Sequence, residues 1–453
     1  MSEVPAMNRV LTIKMKKVFT YLILLFVLRI SAQVGGYAPG LKDSVPGAPS
    51  GAPRMAIQPL LDSLKPGDTL KLKPGFYEGP GFITVPNVVI DGQGHATVSG
   101  MHKRSVLYIK AENVTVKNLH LIDSGNSPDK IDCGVKVVKS NGFKVINNRM
   151  ENTLFGVDVY WSEGGVIWHN DITSIAKNTK GMKGDAIRLW WSKHNMVKEN
   201  YWHQVRDMVV WYSEDNDFIG NYGDGNRYSI HFMYSHNNRI SFNYFINSSV
   251  GVFLMYSEET IMNNNVIENS QGVTGMCLGM KETSSNQILD NRFLYSARGI
   301  YIDVSPFVPW KKNTITGNEI AFCGTGIEFL KDQEGNLFSD NLFHDNLQQI
   351  YIQGGGTANR NKWIHNYWDD YEGFDKDGDN IGDFPYRLYE YHARLWRFNE
   401  NVKFFYGSPI LSLLDYLEKL APFSKPQFVL KDKKPIFNME KYMKENKKFE
   451  KLY

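Results

Sequence analysis

One phrase recurs between Gly134 and Asn265: a small residue, a strand with alternate apolar positions, a serine, then an apolar-x-x-Asn turn. It reads "GVKVVKSNGFKVINN", "GVDVYWSEGGVIWHN", "AIRLWWSKHNMVKEN", "DMVVWYSEDNDFIGN", "SIHFMYSHNNRISFN" and "GVFLMYSEETIMNNN". The closing asparagines are Asn148, Asn170, Asn200, Asn221, Asn243 and Asn265, and looser copies end at Asn291, Asn318, Asn341 and Asn366. Successive spacings are 22, 30, 21, 22, 22, 26, 27, 23 and 25 residues. A unit this small cannot bury its own apolar face, so it must stack on its neighbours. Strand alternation with no helical period between the strands predicts a right-handed parallel β-helix of about a dozen coils. A β-propeller would need blades of about 40 residues or more.

Alternation assigns each strand two faces. Val135/Val137, Val157/Val159, Ile187/Leu189, Ile230/Phe232 and Val252/Leu254 point inward. The outward pairs are Asp158/Tyr160, Arg188/Trp190, Val209/Trp211, His231/Met233 and Phe253/Met255. The repeated Asn fits a tight turn, because it tolerates the left-handed conformation and its amide can bond to the amide one coil up.

The ends of such a stack need covers. Ile57–Leu64 reads as a short amphipathic helix capping the first coil. "SPILSLLDYLEKLAPF" (408–423) puts Ile410, Leu411, Leu414, Leu417 and Leu420 on one helical stripe, expected to pack on the solenoid. Residues 1–33 read as an export signal: Lys14, Lys16 and Lys17, an apolar run from Val18 to Leu28, and small residues at 31–33. Met15 is a second candidate start. The apolar run is shorter than the roughly 20 residues needed to span a bilayer. The expected organisation is a leader (1–33), a linker (34–55), a β-helix (56–400), a C-terminal helical segment (401–430) and a solvated basic tail (431–453).

Apolar residues make up 42%, enough for a large core, and the net charge of +3 is too weak to argue for nucleic acid. The odd count of three cysteines leaves at least one thiol outside any disulfide. Cys133 and Cys323, each beside a glycine, read as small buried residues, whereas strand parity sends Cys277 outward.

Three groups of outward residues carry candidate chemistry. Neighbouring coils sit about 4.8 Å apart, so Met233 and Met255 are vertical neighbours, with His231 one step along and Cys277 one coil further. Thioether, imidazole and thiol together prefer Cu(I) to hard cations. Trp190, Trp211 and Phe253 form an apolar stripe suited to docking. Asp375, Asp377, Asp379 and Asp383 fall at positions 1, 3, 5 and 9 of a loop resembling an EF-hand, which suits Ca²⁺. The match is partial, because Asn380 stands at position 6 and Tyr386 at position 12. Many β-helices cleave acidic polysaccharides, but the outward acids Asp158, Asp303 and Glu328 lie on separate coils, and glycoside hydrolysis wants two together. A polysaccharide lyase, a hydrolase or a glycan-binding protein with Trp190 and Trp211 stacking on sugar is the alternative reading.

"IHFMYSHNN", "GVFLMYSEE", "NYWDDYEGFDKDGDNIGDFPY" and "SPILSLLDYLEKLAPFS" occur in an order that resembles the NosD family, periplasmic accessory proteins of nitrous-oxide reductase maturation. The resemblance runs from "KPGDTLKLKPGFY" to "APFSKPQFVLKDKKP". It implies a non-enzymatic protein docked on an ABC transporter made of the NosF ATPase and the NosY permease. It also implies copper supplied by the lipoprotein NosL and passed to apo nitrous-oxide reductase (NosZ). His231, Met233 and Met255 match the family's strands residue by residue, whereas Cys277 rests on parity alone.

Overall fold

The computed structural model describes residues 45–390, 408–410, 413, 416–417, 426–446 and 448. The expected leader and most of the linker lie outside that set. Each coil is built from three short strands, for example Tyr228–Met233, Arg239–Ser241 and Tyr244–Ile246, after which Val250–Met255 begins the next. The first strands of successive coils stack into a twelve-stranded sheet. The other two rows share a 25-stranded sheet, because Val89–Ser99 and Thr115–Ile122 run on from one row into the other. Among the described residues the solenoid pairings are parallel, as expected for a parallel β-helix.

The inward set is where alternation puts it. Ile230, Phe232, Val252 and Leu254 are fully buried in one continuous core. At the turn, the asparagine amides form a ladder. Each Nδ2 donates to the Oδ1 one coil on, from Asn148 through Asn170, Asn200, Asn221, Asn243, Asn265, Asn291, Asn318 and Asn341 to Asn366, at 2.8–3.0 Å. The same oxygens accept a backbone N–H, as Asn243 Oδ1 does from Asn221 at 2.9 Å, and Nδ2 of Asn243 also donates to the Phe218 carbonyl at 2.9 Å. A serine ladder runs beside it, with the backbone N–H of Ser192, Ser213 and Ser235 donating to Ser213, Ser235 and Ser257 Oγ.

One detail differs from expectation. The left-handed conformation belongs to the residue before each ladder asparagine: Asn147, His169, Glu199, Gly220 and Phe242 all have positive φ. The ladder asparagine is chosen for its paired donor and acceptor, which satisfy buried backbone groups above and below. The turn is made by whatever precedes it.

The first strand, Arg54–Ala56, pairs with Gly75–Glu78 and sits inside the expected linker. The capping helix spans Gln58–Asp62, shorter than read from sequence, and presents Leu61 to the core. At the far end, residues 409–410, 413 and 416–417 are helical, but Ile410 is 73% exposed and Leu417 40%. The other members of that stripe lie outside the described residues.

The basic tail is more ordered than a solvated one. Gln427–Asp432, a strand that begins inside the segment expected to be helical (401–430), pairs antiparallel with Tyr386–Glu390, and Met439–Glu445 is a helix capped by the Asn438 side chain. Lys448 forms an ion pair with Asp290. The physical reason lies in the ladder. Its last amide, Asn366 Nδ2, donates to Oδ2 of the fully buried Asp432 at 2.9 Å, so the tail strand supplies the terminal acceptor.

Removing one rung leaves a backbone N–H and a carbonyl buried without partners, at about 1–3 kcal/mol each. Asn243→Ala is therefore expected to lower the urea midpoint clearly while keeping the β spectrum. Gln287→Ala, on an exposed strand position, is expected to stay within about 0.5 kcal/mol of the parent.

Candidate functional site

The outer face of the twelve-stranded sheet carries the site. Register pairs Met233 with Met255 and His231 with Phe253, so the two thioethers are vertical neighbours as expected. Both methionines are half-buried. The imidazole is far less accessible than an exposed ligand would be, at 8% exposure. Tyr228 stacks on it with centroids 4.9 Å apart, and Trp211 and Phe253 meet it edge-on at 5.9 and 6.0 Å. Both ring nitrogens are buried, and neither has a hydrogen-bond partner among the described residues; the same holds for Trp211 Nε1. Burial pushes the imidazole pKa down to about 4, with Asp207 opposing and Arg227 and Arg206 adding to the shift. The ring is neutral at ordinary pH, with a lone pair that no neighbour uses.

Cys277 does not join this patch. Register pairs Val250 with Met276, Val252 with Leu278 and Met255 with Lys281, so the residue above Met255 is a lysine. Cys277 is fully buried in the core, with Sγ 3.0 Å from Ser296 Oγ. The failure of parity has a local cause. At the start of these strands two consecutive residues face inward: Ser229 and Ile230, then Gly251 and Val252, then Cys277 and Leu278. The sheet shows the same irregularity as a register shift between Asp207 and Val209. One extra inward residue flips everything before it. Tyr228, Val250 and Met276 are consequently on the outer side, in a small cluster with Phe253. Alternation alone missed them.

The docking stripe is also displaced. Trp190 and Trp211 are half-buried with centroids 5.3 Å apart, and the Arg188 guanidinium lies 4.3 Å over Trp190. Phe253 is buried and lies across Gly279, where any side chain would collide with its ring. A longer aromatic row, exposed at Trp161, Trp191 and Tyr234 and half-buried at Tyr212 and Tyr256, is one residue further along. Trp161, Trp191, Tyr212, Tyr234 and Tyr256 stack at 4.8–5.6 Å with interplanar angles of 6–21°. All five have positive φ. A bulky residue pays for that conformation, and stacking on the equivalent residue of the next coil offsets the cost.

Of the four loop acids, Asp375, Asp377 and Asp379 converge, with one oxygen from each within 4.8 Å of the others. Asp383 stands apart, accepting the Lys376 N–H at 2.8 Å. Asn380, with φ of 68°, makes the turn that glycine would make in an EF-hand loop, and its amide holds the backbone of Asn438. The outward acids weighed for polysaccharide cleavage are each held by a base. Asp158 pairs with Arg188 at 3.0 Å and Lys136 at 3.5 Å, Asp303 with Lys281 at 3.7 Å and Glu328 with Arg298 at 2.7 Å.

The three thiols are buried, and desolvation raises those of Cys133, to about 12, and Cys277. Folded protein is expected to react negligibly with an aromatic disulfide reagent at neutral pH and to release three equivalents only after unfolding.

Comparison with known proteins places residues 173–373 against the family model of NosD, described as a periplasmic copper-binding protein. A probable ABC transporter binding protein NosD from Pseudomonas aeruginosa is 30% identical over 132 residues, covering 28% of this chain and 30% of that protein. Its counterpart from Stutzerimonas stutzeri is 29% identical over 131 residues, covering 28% and 29%. The chain thus aligns with less than a third of the length of these relatives. Among solved structures, the A-module of the Azotobacter vinelandii mannuronan C-5 epimerase AlgE6 is similar with TM-score 0.47 and 11% identity, covering 66% of this chain and 90% of that one. A PL6 alginate lyase in complex with trisaccharide has TM-score 0.44 and 15% identity, covering 65% and 80%.

Proposed function

We propose, from the match of residues 173–373 to the NosD family model, that this protein is a periplasmic accessory factor that works with an ABC transporter. On this reading it accepts Cu(I) on the patch of His231, Met233 and Met255 and passes it to apo nitrous-oxide reductase. The transporter is the NosF–NosY pair and the donor is the lipoprotein NosL.

One observation carries the copper reading. Two thioethers stand in register on adjacent strands, beside a neutral imidazole whose nitrogens are buried without partners. Leaving such a nitrogen unsatisfied costs about 1–3 kcal/mol, and a bound metal would recover it. Two sulfurs and one nitrogen favour a soft monovalent ion. Three ligands, two of them half-exposed, suit handover better than storage. Tyr228 stacks on the His231 ring and Phe253 meets its edge, and on this reading those rings move aside as the imidazole reaches a metal held by the two sulfurs. A conformational change transmitted from the transporter would supply that shift. The role is binding and release, with no covalent chemistry.

The test is anaerobic Cu(I) titration of the purified protein against a competing chelator, comparing the parent with Met233→Ala/Met255→Ala and with His231→Ala. The double variant is expected to lose more than about tenfold in affinity, or 1.4 kcal/mol, with an unchanged melting temperature. Equal stoichiometry and affinity in parent and variants would reject the site. Release of unsaturated products from alginate or pectate would favour the enzyme reading.

A further inference from the structure

The 30-residue spacing between Asn170 and Asn200 contains an insertion that the copper reading does not use. It leaves the coil after Asp171–Thr173 and returns at Ile187–Trp190. Ile175 anchors it in a small apolar cluster with Cys133, Leu154 and Phe155. A short 3₁₀ turn, Lys180–Met182, follows. Lys180 Nζ reaches across coils to Ser249 Oγ at 3.4 Å, and Lys183 Nζ donates to the Gln204 carbonyl at 2.7 Å. The insertion is thus a strap lying along the stack, with its ammonium groups held over the edge of the twelve-stranded sheet.

Beneath it lies an ionic row. Arg206 grips Asp185 through Nε and one terminal nitrogen, both at 3.0 Å, and stands 3.6 Å from Asp207. Arg227 grips Asp207 through the same two kinds of nitrogen. Both carboxylates are almost fully buried. The row therefore offers solvent its cations and hides its anions. Among the described residues, no carboxylate lies within ion-pair distance of Lys180 or Lys183, so four cations face two aspartates. Two exposed apolar side chains stand on loops that lead into the same sheet: Met182 on the strap, 66% exposed, and Val273 on the loop before Met276–Lys281, 92% exposed.

We propose that this strip is a docking site for an acidic polypeptide segment, one that pairs carboxylates with Lys180, Lys183, Arg206 and Arg227 and sets aliphatic side chains against Met182 and Val273. The ring faces nearby argue for a peptide over a sugar polymer. Tyr228 is stacked on His231 and capped by the Arg227 guanidinium at 5.1 Å, and Trp190 is capped by Arg188. Each of these two rings therefore has a face already covered by a guanidinium, where a pyranose would otherwise stack. The aliphatic tips beside the cations instead suit side chains that alternate between acidic and apolar. The strip shares no residue with the His231, Met233 and Met255 patch, and its occupancy does not depend on copper.

The experiment measures fluorescence anisotropy of a dye-labelled peptide alternating Glu and Leu, at low ionic strength, with purified protein. The counterpart in which every Glu becomes Lys and every Leu is kept is the charge control. Parent protein is expected to bind the acidic peptide and not the basic one, and Lys180→Glu/Lys183→Glu to weaken binding by roughly tenfold or more, as does added salt. Lys180→Ala, which removes one of the four cations together with its contact to Ser249, should weaken binding to a smaller degree than the double charge reversal, with an unchanged melting curve. Equal binding by parent and charge-reversed protein, or equal binding of the two peptides, would overturn the proposal. So would oligogalacturonate or phosphatidylglycerol vesicles binding in a Lys180- and Lys183-dependent way while the peptide does not.

Discussion

The buried asparagine ladder is the constraint on which the rest of the structure depends. Each rung closes two problems at once: it satisfies backbone groups at a turn buried away from solvent, and it ties that turn to the next coil. Because a side-chain amide has a donor end and an acceptor end, the ladder has a direction and needs a terminal acceptor. Asp432 supplies it. This is why a strand that follows a long C-terminal stretch returns to the solenoid, and why a tail that looks solvated by composition is packed. The ladder also sets the register of every strand that leaves it, and register decides which side chains become vertical neighbours on the outer face.

Much of this could be read from the sequence. The spacing of Asn148 to Asn366, with a serine eight residues earlier in the tighter repeats, was enough for the fold class, the inward residues and the pairing of Met233 with Met255. What could not be read follows from geometry finer than period two. The two consecutive inward residues at Ser229–Ile230, Gly251–Val252 and Cys277–Leu278 reversed the parity before them. That inversion sent Cys277 into the core and brought Tyr228 and Met276 out. The turn residue was misplaced by one for a related reason: asparagine tolerates positive φ, but here Phe242 and His169 bear it while Asn243 and Asn170 carry the hydrogen bonds.

The outer face is organised by the same repetition. Identical positions on successive coils stack, so any residue type favoured there becomes a row. One row is aromatic and left-handed, from Trp161 to Tyr256, and its strain is tolerable because each ring meets another. A second row runs Tyr160, Trp190, Trp211, Met233 and Met255 and turns ionic at Lys281 and Asp303. The patch ascribed to copper lies where that row changes from indole to thioether, next to the one imidazole in the neighbouring row. Its distinguishing feature is an unpaired, neutral, buried donor, which a purely structural surface would have little reason to keep. The loop acids Asp375, Asp377 and Asp379 occupy a separate place near the C-terminal cap, linked through Asn380 to Asn438.

The copper reading rests on which donors that face supplies, and X-ray absorption at the copper edge of anaerobically loaded protein identifies them. The expected spectrum is a Cu(I) edge with two sulfur scatterers and one imidazole nitrogen, the nitrogen signal disappearing in His231→Ala and the sulfur signal in Met233→Ala/Met255→Ala. A first shell of oxygen and nitrogen alone, or a sulfur shell that survives the double substitution, would contradict it.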